Sequence, residues 1–127
     1  MIDQNRIRVL IADDHALIRE GIAMIVSCQS DMELVSEASG GREAIEKYRQ
    51  HRPDVMLMDL RMPDLNGVDA VRAIRAEFPD ARILILTTFE GEEEVQRSIK
   101  AGACGYLLKS IAPNELWQKI RQVHAIH

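Results

Sequence analysis

The sequence lacks the segments that place a protein in or across a membrane. None of its apolar stretches approaches the ~18 residues that a spanning helix needs. The N-terminal segment "MIDQNRIRVLIADD" carries acids where a secretory signal peptide has a basic start. Both observations predict a cytosolic protein without membrane contact.

Cysteines, aromatic residues and basic clusters are also scarce. Cys28 and Cys104 have neither metal-type nor redox spacing, so we expect two reduced, partly buried thiols. Aromatic residues make up 4% of the chain, which predicts an aliphatic core. No cluster of Lys and Arg is long enough to follow a phosphate backbone, and the net charge is −4. This argues against nucleic-acid binding by this chain.

The residues that are present suffice for one globular core. The chain has 127 residues, of which 46% are hydrophobic and 28% charged, a balance typical of a single folded domain. We find no internal repeat, low-complexity tract or linker. The sequence therefore predicts one domain over residues 1–127.

Short apolar runs alternate five times with segments of helical periodicity. The runs are 7–12, 32–38, 55–58, 82–87 and 105–108. The first, third and fourth lack polar alternation, which fits strands covered on both faces. Strict alternation of strand and helix predicts a doubly wound parallel sheet in a three-layer, flavodoxin-like α/β fold. The strand order 2-1-3-4-5 is one of the two common solutions.

Two helical segments carry particular expectations. The segment "EGEEEVQRSIKA" has only Val95 and Ile99 as apolar anchors, so we expect it to form the most loosely held helix. Trp117 lies beside the apolar stripe of the last helix. We favour a place at the edge of the core for this indole over a role at an interface.

Polar residues stand at the ends of four predicted strands. They are Asp13 and Asp14 after the first, Asp59 after the third, Thr87 at the end of the fourth and Lys109 after the fifth. Because parallel strands point the same way, we expect these side chains to converge on one edge of the sheet. Hard oxygen ligands without a thiolate or a well-placed imidazole select Mg²⁺ or a similar hard ion. The ammonium and hydroxyl suit phosphoryl oxygens.

A carboxylate nucleophile at this edge would form an aspartyl phosphate. Asp59 is the best candidate, because it stands alone while Asp13 and Asp14 can hold a metal together. Each residue has a plainer explanation. Asp14 could be a helix N-cap, Asp59 a turn residue and Lys109 a solvated charge. Separate explanations account poorly for the coincidence of all of them at successive strand ends.

The histidines are weaker candidates. His15 lies beside the acidic pair, and we expect it to face solvent at a helix start. His124 and His127 lack further ligands, which favours solvated tail residues over a metal pair. The segments "SGGREA" and "AGACG" match neither a Walker-type loop nor a dinucleotide fingerprint.

The motifs "VLIADDH", "LMDLRMPDLNG", "ILTT" and "AGACGYLLK", in this order and at these intervals, resemble the receiver domain of two-component response regulators. The match runs through nearly the whole chain. The wording "IRVLIADDHALIREGI" further resembles the receivers that precede a LuxR-type helix-turn-helix in the NarL/FixJ group.

That resemblance implies a regulatory phosphoacceptor rather than an enzyme, with self-catalysed phosphorylation and dephosphorylation only. It implies a sensor histidine kinase as phosphodonor and a homodimer on phosphorylation. It also implies control of transcription, with DNA contacted only through an output domain that we expect to be absent from this chain.

Residue roles follow from the same resemblance. Asp59 matches the phosphoacceptor, and Asp13 and Asp14 match the acidic pair of the Mg²⁺ site. Of this pair, Asp14 corresponds to the direct ligand and Asp13 to the residue that acts through water. Arg61 sits where the family uses a backbone carbonyl as metal ligand. Lys109 matches the family's lysine.

The resemblance also implies a switch that changes the α4-β5-α5 face. Thr87 matches the switch hydroxyl, and Tyr106 the aromatic whose rotamer follows phosphorylation. Tyr106 could instead be a half-buried strand aromatic. Many receivers have proline after the lysine, whereas Ser110 follows Lys109 here. A non-proline cis bond costs ~3–4 kcal/mol, so we do not expect one.

Two other functions stay open. One is a Mg²⁺-dependent phosphatase that forms an aspartyl phosphate. The chain has no second acid two residues after Asp59 and no cap insertion, which argues against it. The other is a degenerate receiver that acts only as an interaction module, which the full set of acids and Lys109 disfavours.

Overall fold

The computed structural model describes residues 6–88 and 93–125. Strands and helices alternate through these residues as β1 (Ile7–Ala12), α1 (Ala16–Ser27), β2 (Met32–Ala38), α2 (Gly41–His51), β3 (Val55–Asp59), α3 (Gly67–Glu77), β4 (Ile83–Thr87), α4 (Glu93–Ala101), β5 (Gly105–Leu108) and α5 (Pro113–Ala125). The strands form one parallel sheet in the order β2-β1-β3-β4-β5. The predicted doubly wound fold and strand order are confirmed.

The two central strands β3 and β4 are buried along their whole length. Successive strand side chains point to opposite faces of the sheet. Met56 and Met58 therefore join an apolar cluster with α2 and α3, while Leu57 joins a second cluster with α1 and α5. Helices cover both faces, which explains why these runs lack polar alternation.

Local sequence sets several helix limits. Pro113 opens α5, where its fixed φ suits the first turn. Gly102 follows α4 with φ +121°, a conformation that favours glycine. The Asn66 side chain caps α3 by accepting a hydrogen bond from the Asp69 backbone N–H at 2.9 Å. These residues give α3, α4 and α5 defined ends.

Two polar contacts fasten α5 to the α1–β2 side of the molecule. Trp117 Nε1 donates to the Ile25 carbonyl at 2.9 Å, and its half-buried ring packs on the α1/α5 cluster. Arg121 pairs with Asp31, with Nε and Oδ2 2.8 Å apart. The expectation that Trp117 edges the core is confirmed.

The expected anchors of α4 are half wrong. Val95 is buried, but Ile99 is 42% exposed, and the second buried residue of the helix is Ser98. Ser98 donates its hydroxyl to the Val95 carbonyl at 2.6 Å, which satisfies the buried polar group. Each residue turns a helix by about 100°, so positions 98 and 99 lie on opposite sides of Val95, and the buried stripe extends toward position 98 and leaves position 99 at its edge. Residues 90–92 of this predicted segment lie outside the described residues.

Two further expectations concern exposure and peptide geometry. Cys28 and Cys104 are both exposed, so partial burial was a wrong prediction. Each follows a helix end, at the C-cap of α1 and just before β5, where the chain runs along the surface. Within the described ranges no peptide bond is cis, including the one between Lys109 and Ser110. No helix in these ranges combines the length and apolarity that crossing a bilayer requires.

Candidate functional site

Strand register brings the predicted polar residues to one edge of the sheet. Ala12 lies opposite Met58, so Asp13 and Asp59 follow on neighbouring strands. Thr87 lies opposite Leu108, and Lys109 comes next. Asp59 ends a fully buried strand, which holds its carboxylate in a fixed place.

Lys109 lies between two buried acids. Its Nζ is 3.0 Å from Asp13 Oδ2 and 3.2 Å from Asp59 Oδ1. The three side chains are 8%, 0% and 5% exposed, in the order Lys109, Asp13 and Asp59, so water screens these ion pairs little. One ammonium serves two carboxylates, which leaves negative charge in the site for a further cation.

The surroundings of Asp59 shift the pKa of its carboxyl upward. Burial raises the pKa of this carboxyl, the negative charge of Asp13 raises it further, and Lys109 opposes both effects. Asp59 Oδ2 is buried and accepts no hydrogen bond. Such an atom in a polar site is a natural contact for a ligand or ion. Asp13 Oδ2 also lacks a well-aligned hydrogen bond, so its contact with Lys109 is electrostatic.

The acids fit a metal ion. Asp13, Asp14, His15 and Asp59 each offer one ligand atom, and these atoms lie within 4.8 Å of one another. Carboxylate oxygens are what Mg²⁺ prefers, and it usually keeps several waters. The orphaned Asp59 oxygen and the excess negative charge agree with a cation here. Asp14 is not a helix N-cap, because His15 occupies that position before α1.

His15 was underestimated from the sequence. Its side chain is 59% exposed, as expected, yet Nδ1 lies 3.0 Å from Asp13 Oδ1 and 3.2 Å from Asp14 Oδ1. The His15 backbone N–H also donates to Asp13 Oδ1 at 2.8 Å. The signal was its place directly after the acidic pair, where a helix start turns the imidazole back over the strand end.

A cavity of about 220 Å³ opens beside Asp59. It is lined by His15, Asp59, Leu60, Arg61, Thr87, Thr88 and Lys109. Thr87 is buried at this edge. Tyr106 stands apart from the acids, because it is 37% exposed and lines a larger cavity of about 600 Å³ beside β5 and α5. The structure thus unites the predicted acids, Lys109, Thr87 and Arg61, but not Tyr106.

Close backbone packing supports the loop after Asp59. A Cβ added at Gly67 would lie 2.4 Å from the Asp59 carbonyl oxygen. Asp64 accepts hydrogen bonds from the backbone N–H groups of Gly41 and Arg42, at 2.9 and 3.1 Å, and so ties the loop to α2. These backbone N–H bonds hold the pKa of Asp64 below its usual range. Sequence reasoning missed this support, since only the glycines hinted at it.

Comparison with known sequences assigns a family to this arrangement. The model of the response regulator receiver domain matches residues 9–121. The transcriptional regulatory protein YxjL of Bacillus subtilis is 44% identical over 120 residues, which cover 94% of this chain and 55% of that protein. The oxygen regulatory protein NreC of Staphylococcus epidermidis is 45% identical, over 92% of this chain and 54% of that one. The chain spans about half the length of these curated relatives.

Solved structures agree. The signal receiver domain of NarL from Mycobacterium tuberculosis superposes with a TM-score of 0.91 at 32% identity, covering 97% of this chain and 99% of that one. A LuxR-family response regulator from Aurantimonas sp. gives a TM-score of 0.89 at 38% identity, covering 94% and 86%. The resemblance to receivers of this LuxR-type group is confirmed. The chain belongs to the response regulator receiver domain family of two-component systems.

Proposed function

We propose that Asp59 accepts a phosphoryl group from a sensor histidine kinase in a Mg²⁺-dependent reaction. The observation that carries this proposal is the Lys109 ammonium held 3.0 and 3.2 Å from Asp13 and Asp59, beside a buried, unbonded Asp59 oxygen. In the transfer, the P–N bond of the kinase phosphohistidine breaks and a P–O bond to Asp59 forms. The departing imidazole regains a proton from solvent.

Each residue at the edge then has a task. Asp59 attacks as the carboxylate, Lys109 pairs with one phosphoryl oxygen, and the Thr87 hydroxyl donates to another. Asp13, Asp14, Asp59 and the Arg61 carbonyl would hold the Mg²⁺. When bound, this ion neutralises charge on the transferring phosphoryl oxygens.

Phosphorylation adds ~1.5–2 negative charges at this edge. Thr87 turning toward the phosphoryl group, and Tyr106 moving behind it, would bias the α4-β5-α5 face between two packings. The exposed Tyr106 ring and the two-residue anchor of α4 support this path. We further propose that the switched face forms a homodimer in the cytoplasm. DNA would be contacted by an output domain outside this chain, as in transcriptional regulatory relatives.

The first prediction concerns the phosphoacceptor. With Mg²⁺ and acetyl phosphate, the protein should gain one phosphoryl group that is stable in acid and labile in base. Asp59→Asn should lose this adduct completely, because the amide is not a nucleophile. Intact-mass spectrometry measures both.

Asp80→Asn is the matched control, since Asp80 is an exposed acid in the turn before β4. It should be phosphorylated like the wild type. Absence of an adduct on the wild type would refute the proposal and favour an interaction module. Steady turnover of many phosphate esters would favour a phosphatase.

The second prediction concerns the metal. EDTA should stop adduct formation, and Mg²⁺ should restore it, because charge neutralisation is the main catalytic need of phosphoryl transfer. Asp14→Ala should prevent this rescue at Mg²⁺ concentrations that saturate the wild type. An unchanged rate in Asp14→Ala would contradict the ligand role of Asp14.

A further inference from the structure

The imidazole nitrogen of His15 lies close enough to the acids to bind the same ion as they do. The proposed phosphoryl transfer does not need this imidazole. Its Nδ1 forms a hydrogen bond with Asp13 Oδ1 at 3.0 Å and lies 3.2 Å from Asp14 Oδ1 and 3.9 Å from Asp59 Oδ2. The last of these atoms is buried and accepts no hydrogen bond. The imidazole nitrogen and the unbonded Asp59 oxygen are thus 3.9 Å apart.

These separations suit ligands of one shared ion. Ligand atoms about 2.1 Å from an octahedral ion lie about 3.0 Å apart when they are adjacent and about 4.2 Å apart when they are opposite. All three distances from His15 Nδ1 fall within this range. Asp14 Oδ1 at 3.2 Å is therefore spaced from Nδ1 like an adjacent ligand of one ion, and Asp59 Oδ2 at 3.9 Å nearly like an opposite one.

An imidazole nitrogen changes which ions such a site prefers. Mg²⁺ favours oxygen ligands, whereas imidazole suits first-row transition ions such as Ni²⁺ and Zn²⁺. We propose that His15 Nδ1 joins Asp14 and Asp59 as a metal ligand, so that the site binds divalent transition ions in preference to Mg²⁺. This inference rests on the metal role of the acids in the proposed function. A bound transition ion would compete with Mg²⁺ for the same carboxylates.

Calorimetric titration of Ni²⁺ and of Mg²⁺ separately tests the preference. These titrations use the full chain with the substitutions His124→Ala and His127→Ala, because those two histidines could bind Ni²⁺ themselves. In this background His15→Ala should weaken Ni²⁺ binding by ~10- to 100-fold, a loss that even an orienting partner of a ligand can cause. Mg²⁺ binding should stay the same. His51→Ala, at the end of α2, is the matched control and should change neither.

Pulsed EPR of the Mn²⁺-loaded protein supplies a direct readout. A nitrogen coupling to Mn²⁺ should be present with His15 and absent in His15→Ala. Equal losses of Ni²⁺ and Mg²⁺ affinity would overturn the inference, because His15 would then only position the acids. So would unchanged Ni²⁺ affinity without a nitrogen coupling, since the imidazole would then only donate hydrogen bonds.

Phosphorylation by acetyl phosphate with Mg²⁺ separates this inference from the proposed function. The protein with His15 intact should gain the Asp59 adduct. If the adduct forms but the metal preference is unchanged, only the inference about His15 fails. If no adduct forms on the protein that carries His15, the proposed function itself fails.

Discussion

The centre of the sheet and its β5 side are built differently. All five residues of β3 are buried, and α3 beside it buries Gly67, Val68, Ala70, Val71 and Ile74. Only Leu107 is buried in β5, and α4 buries only Val95 and Ser98. Tyr106 and Ile99 are exposed on this side.

This difference indicates that the centre of the sheet holds the site in place, whereas the β5 side can rearrange. Tight packing around β3 keeps the Asp59 carboxylate beside Lys109 and at the wall of the cavity. Few buried contacts let a segment rearrange at low free-energy cost. A small change at the acids is thus expected to move the β5 side before it disturbs the centre.

The largest expected effect compares core truncations in the two regions. Leu57→Ala in β3 should lower the free energy of unfolding by ~2–5 kcal/mol, since it leaves a cavity among fully buried side chains. Ile99→Ala in α4 should change it by no more than ~0.5 kcal/mol, as is usual for surface sites. Urea denaturation followed by circular dichroism measures both. Equal losses would contradict the comparison.

A smaller effect is expected from adding one methyl group at two glycines. Gly67→Ala should cost ~1–3 kcal/mol and slow phosphorylation, because the added Cβ meets the Asp59 carbonyl oxygen. Gly21→Ala in α1 should instead gain ~0.5–1 kcal/mol, since it meets nothing within 4 Å and alanine favours a helix. Thermal melts and the adduct assay provide the measurements. An increase in stability on Gly67→Ala would contradict this expectation, because it would mean that the loop after Asp59 shifts to make room for the added Cβ.

The smallest expected effect is a pH dependence from Asp59. Its pKa lies above the ordinary 3.8, chiefly through burial, so the fold binds this proton more tightly than the unfolded chain does. Stability from this group is therefore full below 3.8 and falls as pH rises through the folded pKa. Asp59→Asn should thus grow more stable relative to the wild type with rising pH.

Denaturant titrations in EDTA from pH 4 to 8 should show this increase. The positive charge of Lys109 offsets part of the cost of burying the Asp59 carboxylate. The stability difference between Asp59→Asn and the wild type should therefore stay below the loss caused by Leu57→Ala. Mg²⁺ should reduce the stability advantage of Asp59→Asn over the wild type, because an ion that binds only the folded wild type stabilises that state. A difference that does not vary with pH would contradict the raised pKa.

Much of the fold could be predicted because its strands are short apolar runs separated by segments of helical periodicity, and β1, β3 and β4 are buried along nearly their whole length. The runs 7–12, 32–38 and 105–108 coincide with strands, and the other two differ by a single residue. Helix faces were harder where apolar residues are few. In α4 the spacing of Val95 and Ile99 could not show that the buried stripe passes through Ser98 instead.

The site could be predicted as far as strand ends define it. Parallel register brings Asp13, Asp59 and Lys109 together whatever their rotamers. The contacts of His15 depend on how α1 begins, and those of Asp64 on how two loops meet. Such contacts are set by tertiary packing, so the sequence contains only weak signals for them, namely the place of His15 after the acidic pair and the glycines that Asp64 contacts.

Trp117 is the chain's single tryptophan, and its indole is fastened to α1 through Ile25. Its emission therefore reports on the contact between α1 and α5. It should follow the loss of the whole fold in a denaturation curve. For phosphorylation, a dye on the exposed Cys104 is the more direct spectroscopic reporter, because Cys104 lies beside β5 and two residues before Tyr106.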